Sequence, residues 1–184
     1  MKSPGQCIAV VSGKGGTGKT SFTAGVGAAL AQSGRRVLCL DCDIGLRNLD
    51  LALGLSDRTL MDFSDVAQGR CTLDLAAVEH PKVPGLFLLT APSHLRQVDR
   101  AAFAALVDAA LDAGRELLVI VAHGGTQMAV MERYALPRRS YHDGCGPNAG
   151  GFVLEADRSV WRQEHTLRQV GTVQYTRAAR EAGC

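Results

Sequence analysis

The sequence is short of the features that would place it at once. Its longest apolar runs, such as residues 117–122, are far too short to cross a bilayer, and the N-terminus passes into a glycine-rich stretch without a secretory h-region. The expectation is therefore a cytoplasmic chain. Charge of one sign is also missing: 20 Lys+Arg stand against 18 Asp+Glu, a net +2. That balance predicts binding to neither nucleic acid nor an anionic membrane from overall field alone. The six cysteines, at 7, 39, 42, 71, 145 and 184, repeat no zinc-finger or ribbon spacing. Cys39 and Cys42 form a C-x-x-C, but in a strand residues three apart point to opposite faces, which favours two buried small apolar side chains over a redox pair. There is no internal repeat. What remains is 184 residues, 46% hydrophobic and 21% charged, enough for one ordinary globular domain.

Periodicity organises the first two thirds. Residues 6–12 are an apolar run ending in glycine, as a buried parallel strand should read. Phe22, Val26, Ala29 and Leu30 then fall on one helical stripe that stops at Gly34. A second strand covers 37–41, short helices are expected over 60–67 and 73–78, and a third strand over 85–90. Phe103, Leu106, Val107, Ala110 and Leu111 make the clearest amphipathic helix, closed by Gly114 and followed by a strand at 116–121. This alternation predicts an α/β fold with a mainly parallel sheet flanked by helices. Beyond it the sequence predicts a glycine turn at 123–125, a short helix with Met128, Met131 and Ala135, a Pro/Gly/Asn-rich stretch over 137–151, and a brief strand at 152–155. The last thirty residues are weakly periodic.

Gly13-Lys14-Gly15-Gly16-Thr17-Gly18-Lys19-Thr20 matches G-x-x-x-x-G-K-[ST] between an expected strand and an expected helix, the context its mechanism requires. Glycines let successive backbone N–H groups curl around a β-phosphate, and the helix start adds its positive dipole end. Lys19 supplies charge to the β and γ phosphates, and the Thr20 hydroxyl suits Mg²⁺, a hard cation that takes oxygen ligands. The candidate nucleotide contacts are Gly13, Lys14, Gly15, Gly16, Thr17, Gly18, Lys19, Thr20 and Ser21. Asp41 and Asp43 follow the second strand and face the crevice at its carboxyl end. Asp41 is a candidate to hold a magnesium-bound water, and Asp43 to orient a water toward the γ-phosphate. Asp50 by itself reads as a surface charge.

Lys14 is unnecessary for a plain phosphate loop. With it, the loop resembles the deviant Walker A box of the MinD/ParA ATPase family, and residues 43–51 resemble the MinD branch of that family. The resemblance covers about residues 6–112 and implies a P-loop NTPase-like fold and a Mg²⁺-dependent ATPase of the kind that positions the division septum. It further implies that Lys14, Lys19 and Asp43 act in catalysis, with Lys14 reaching nucleotide across a homodimer. A cell-division partner protein and peripheral attachment at the inner face of the membrane are implied as well. Arginines over 158–180 accompany Trp161 and Leu167 without forming a clean apolar face, so membrane attachment has little support from these residues.

The resemblance breaks after residue 116. The family pattern would end that strand in an Asp-x-x-Ala-Gly switch II, whereas Ala122-His123-Gly124-Gly125-Thr126 carries no acid. Residues 116–155 instead resemble the histidine phosphatase superfamily, which implies a phosphate-binding role for His123. The Arg-His-Gly box that would supply that superfamily's nucleophile is absent. The expected organisation is a nucleotide-binding segment over 1–112 joined to a segment over 113–184 that is not an independent domain, leaving the C-terminal half of the fold incomplete or chimeric. Three functions follow: a MinD-like ATPase that binds nucleotide but turns it over slowly, a phosphomonoesterase fragment centred on His123, and a non-catalytic module ordered by nucleotide.

Overall fold

The computed structural model of the chain describes residues 5–12, 16–43, 47–93, 100–113, 115, 117–140 and 150–174. Among these residues eight strands form one sheet: β1 (Gly5–Ser12), β2 (Val37–Asp41), β3 (Val78–Glu79), β4 (Leu86–Leu89), β5 (Leu117–His123), β6 (Ala135–Leu136), β7 (Gly150–Ala156) and β8 (Leu167–Gln174). Their order across the sheet is β3-β4-β2-β5-β1-β7-β8-β6. The central four, β4-β2-β5-β1, pair in parallel, while β7 runs antiparallel to both β1 and β8. Such all-apolar strands as Leu86–Leu89 belong at the centre of a sheet covered on both faces.

Among the described residues seven helices accompany them: α1 (Lys19–Gln32), α2 (Leu49–Leu53), α3 (Phe63–Ala67), α4 (Leu73–Ala76), α5 (Arg100–Asp112), α6 (Gly124–Arg133) and α7 (Arg158–Glu164). Side chains alternate across the pleat, so successive residues of β2 enter different cores. Val37 and Cys39 pack with Ala31 of α1 and Leu49 of α2, whereas Leu38 and Leu40 pack with Phe63, Leu106 and Ala110 of α3 and α5. Cys39 and Cys42 fall in opposite cores, as their spacing predicts, and both are free thiols.

The buried face of α1 differs from the one its apolar stripe predicts. The line that is fully buried is Lys19, Thr23, Gly27 and Ala31; Phe22, Val26 and Leu30 are only partly buried and Ala29 is exposed. The reason is distance. A Cβ placed on Gly27 would lie 2.4 Å from Cys39 Sγ and 3.3 Å from Leu86 Cδ1, so only a line of small residues lets the helix axis sit this close to β2. The larger apolar residues flank the seam.

Three further elements depart from expectation. The segment at 60–67 becomes helical only at Phe63, where Asp62 and Asp65 form a reciprocal capping box; Leu60 remains in solvent. Val78 leaves α4 and pairs with Leu88 in β3 instead of extending the helix. The expected glycine turn at 123–125 is absent, because β5 continues through His123 and α6 begins at Gly124, and Ala135 belongs to β6.

Strands β5, β6, β7 and β8 belong to the same sheet as β1 and β2. Strand β5 lies between β1 and β2, with Leu117 beside Gln6 and His123 beside Ser12. Helix α7 then docks on α5: the indole Nε1–H of fully buried Trp161 donates to Asp108 Oδ1 at 2.8 Å, the Arg158 guanidinium donates to the carbonyl of Leu111, and Arg162 pairs with Asp112. Tyr134 stacks obliquely on Trp161 with ring centres 5.5 Å apart.

Candidate functional site

In an open parallel sheet the carboxyl ends of the strands border the ligand crevice where the strand order reverses. Here that place is the junction of β1, β5 and β2. Val10, Val121 and Asp41 stand in register across the three strands, so residues just beyond them meet at one edge. The phosphate-loop sequence leaves β1 at this edge. Gly13, Lys14 and Gly15 lie outside the described residues, so the readings placed on them rest on sequence.

The second half of the loop is described. Gly16 and Gly18 take φ of +71° and +83°, backbone that disfavours any side chain. A Cβ at either glycine would meet nothing within 4 Å, so the loop borders open space on that side. Gly18 is the N-cap of α1 and gives no side-chain cap, and no acidic residue occupies the first turn. A fourteen-residue helix thus presents its N-terminal, positive dipole end at this edge of the sheet. Lys19 begins that helix and is buried against the sheet; Thr17 and Thr20 are half-buried and Ser21 is exposed.

Asp41 ends β2 and is 1% exposed. Its Oδ1 accepts the backbone N–H of Asp43 at 2.8 Å and its Oδ2 that of Leu49 at 3.1 Å, so the carboxylate ties the end of β2 to the start of α2. Burial raises its carboxyl above the ordinary aspartate range; the two backbone donors oppose that shift, and the neighbouring Asp43 and Asp50 carboxylates add to it. Each oxygen retains lone-pair capacity toward a water. Asp43 is likewise buried, two residues past the β2 edge.

Asp50 is a correction to the sequence reading. It is 5% exposed rather than a surface charge, and its Oδ2 meets Arg47 Nε at 3.2 Å. Arg47, held at a left-handed φ of 37°, also donates from Nη2 to Thr59 Oγ1 at 2.6 Å. This Arg47–Asp50–Thr59 tie braces the loop that carries Asp43. The one sequence signal for it was the opposite charge three residues apart at the start of a helix.

The donor set fits magnesium in a nucleotide complex. Among the described residues no group of three or more His, Cys, Asp or Glu could hold a metal, so a dedicated protein cage is lacking. Mg²⁺ in nucleotide sites instead keeps waters and takes one or two protein oxygens plus phosphates, which the Thr20 hydroxyl and the Asp41 carboxylate can complement.

The sequence profile described as the CobQ/CobB/MinD/ParA nucleotide binding domain matches residues 8–176. The chain belongs to this family. Over 84 residues it is 52% identical to the septum site-determining protein MinD of Synechocystis sp., covering 46% of this chain and 32% of that protein. Among solved structures it resembles the MinC:MinD cell division protein complex of Aquifex aeolicus, with TM-score 0.56 and 38% identity over 64% of this chain and 46% of that one. It also resembles cobyrinic acid a,c-diamide synthase from Mycobacterium smegmatis with bound ADP and magnesium, with TM-score 0.54 and 29% identity over 65% of this chain and 51% of that one. The chain thus spans about a third of the first relative's length and about half of the other two.

The family match runs straight through residues 116–155. The resemblance of that segment to histidine phosphatases finds no support, and the sheet shows why the family assignment extends there: β5 is the central parallel strand between β1 and β2. His123 nevertheless stands where the resemblance to MinD called for an acid, at the tip of β5 beside Ser12. Residues 158–180 contain no amphipathic membrane helix within their described part, since α7 ends at Glu164 and β8 follows. Among the described residues no helix is long and apolar enough to cross a membrane.

Proposed function

We propose that the chain is a MinD-like module that binds Mg·ATP between the phosphate loop and the β2–α2 loop, and that it serves in placing the division septum. What most supports this reading is the junction of β1 and α1: two left-handed glycines bordering open space, followed by the N-terminal turn of α1 with buried Lys19. In this reading Gly13 through Gly18 offer amides to the phosphates, Lys14 and Lys19 neutralise the β and γ phosphates, and Thr20 and Ser21 complete the first helical turn. Magnesium would supply Lewis-acid charge at the γ-phosphate, held by Thr20 and, through water, by Asp41. Asp43 orients the attacking water. Lys14 reaches a second copy's nucleotide, so ATP drives homodimerisation. The Aquifex protein is seen in a MinC:MinD cell division protein complex, and a division partner of that kind is proposed for this chain. The site of action is the cytoplasm, with peripheral contact at the inner membrane face.

Residues 113–184 contribute strands and α7 to the same unit instead of forming a domain of their own. The missing acid at residue 123 makes turnover slow: loss of one such electrostatic group is worth about 2.7–4 kcal/mol of barrier, or 10²- to 10³-fold in rate. That same feature favours a second reading, in which nucleotide orders a dimer or partner surface without being consumed.

The experiment is a titration of the full chain with fluorescent ATP and Mg²⁺. Saturable binding that disappears in Lys19→Ala supports the proposal, and a parent protein that shows no saturation refutes it. Phosphate release measured beside light scattering separates slow turnover from nucleotide-driven assembly without hydrolysis.

A further inference from the structure

Arg47 stands between Asp43 and α2 with a left-handed φ of 37°, a backbone conformation that a residue with a side chain keeps only when its surroundings impose it. Its backbone N–H donates to the carbonyl of Asp43 at 3.2 Å, while the Asp43 N–H donates to Asp41 Oδ1 at 2.8 Å. Both main-chain groups of Asp43 are thereby held, which fixes the point from which its carboxylate projects. What imposes the conformation on Arg47 is its own guanidinium. Nε donates to Asp50 Oδ2 at 3.2 Å and Nη2 to Thr59 Oγ1 at 2.6 Å.

The two acceptors sit on different parts of the chain. Asp50 belongs to α2 and is itself anchored: its Oδ1 accepts the Leu51 N–H at 2.7 Å and its carbonyl accepts that of Leu55 at 2.8 Å. Thr59 lies in the connection between α2 and α3, half-buried, and its hydroxyl donates to the Ser56 carbonyl at 3.4 Å, which turns an oxygen lone pair toward Arg47. A guanidinium held by one acceptor can pivot about that contact. Two acceptors on separate segments set the plane of the rigid fork and, with it, the backbone that carries it. Without Thr59 the grip on Arg47 reduces to the single contact with Asp50.

We infer that Thr59 and Arg47 are positioning residues for Asp43: the Thr59 hydroxyl holds the Arg47 guanidinium, and the Arg47 N–H holds the main chain from which Asp43 aims at the attacking water. The inference rests on the reading of Asp43 proposed above as the residue that orients that water. A displacement of about 1 Å in a reacting group costs on the order of 10²-fold in rate. Loss of the Thr59 hydroxyl should therefore slow hydrolysis about 10- to 100-fold while nucleotide affinity stays within about twofold, because Thr59 lies outside the phosphate loop.

The test compares Thr59→Val, which keeps the branched shape and removes the acceptor, with Thr59→Ser, which keeps the hydroxyl. Single-turnover hydrolysis of Mg·ATP by the full chain is measured beside the binding titration. Slower hydrolysis in Thr59→Val at an unchanged nucleotide Kd is expected, with recovery to within about twofold of the parent in Thr59→Ser. Equal rates in the parent and Thr59→Val overturn the inference, as does a loss of affinity that accounts for the whole change, or a serine variant as slow as the valine one. Hydrogen exchange reads the grip without turnover: the Arg47 amide should exchange faster in Thr59→Val while the Leu49 amide, held by Asp41, does not. Unchanged exchange at Arg47 refutes it. A parent that binds no nucleotide, or binds it and never hydrolyses it, overturns the reading of Asp43 and this inference together, whereas equal rates in two chains that both turn over ATP overturn the inference alone.

Discussion

The close seat of α1 on β2 can be tested at Gly27. In Gly27→Ala the new methyl would begin 2.4 Å from Cys39 Sγ and 3.3 Å from Leu86 Cδ1, both in the core. Two effects oppose each other. Alanine gains about 1 kcal/mol over glycine inside a helix. Overpacking a tight core costs about 1–3 kcal/mol, and the upper end applies because Cys39 lies on a central strand and has no long side chain to swing aside. The net expectation is a loss of about 1–2 kcal/mol, or a fall of roughly 2–8 °C in Tm for a chain of this size. The sulfur should account for the strain, so Cys39→Ala, which removes it, should recover the variant. In a double-mutant cycle by urea unfolding, the coupling between Gly27→Ala and Cys39→Ala should be favourable by about 1 kcal/mol or more. If the proposed site is correct, weaker nucleotide binding should accompany the single change, since the same helix carries Gly18 and Lys19 at its start. Additive effects of the two substitutions would refute the close-packing argument. So would a Gly27→Ala variant more stable than the parent.

Asp41→Ala removes both acceptors of the β2–α2 loop and leaves the Asp43 and Leu49 amides without their partners, at about 1–3 kcal/mol for each that water fails to reach. Urea unfolding should show a loss of at least about 2 kcal/mol, and hydrogen exchange should show both amides losing protection. A second expectation concerns alkali. Burial raises the Cys7 and Cys39 thiols from 9.0 to about 12, so the folded chain holds their protons where the unfolded chain releases them. Their contribution to stability is therefore complete below pH 9 and is lost progressively as the pH rises toward 12. Thermal unfolding from pH 8 to 11 should show this decline, and it should be reduced in Cys7→Ala. Both thiols should resist iodoacetamide at pH 8 until the chain unfolds.

The parts of the fold that can be read from sequence are those in which one residue type does one job. The phosphate loop needs glycines at left-handed positions, and Gly16 and Gly18 occupy them. Central strands need unbroken apolar runs, and β2, β4 and β5 have them. The α1 face was misleading because hydrophobicity measures how much area a side chain would bury, whereas the seam with β2 is set by how little room is left. Thr23, Gly27 and Ala31 lie inside for their size.

Pairing between distant residues is the other thing that periodicity does not carry. Asp50 reads as a surface charge until the turn at Arg47 brings a guanidinium onto it. Arg115 likewise meets Phe87 and Asp74, partners well separated from it in sequence. The weakly periodic last thirty residues include β8, which with β7 is covered chiefly on one side: Phe152, Leu154 and Leu167 enter the core, while Arg168 and Val170 remain in solvent. An antiparallel pair with one wet face needs only alternate apolar positions, and the bulge between Val153 and Leu154 interrupts even that alternation. Trp161 is the decisive residue of this half, since its buried ring and its bond to Asp108 attach α7 to a helix more than forty residues earlier. The apparent break after residue 116 is therefore a difference of motif at the tip of β5, where His123 stands in place of an acid, within one sheet that takes in β5, β7 and β8.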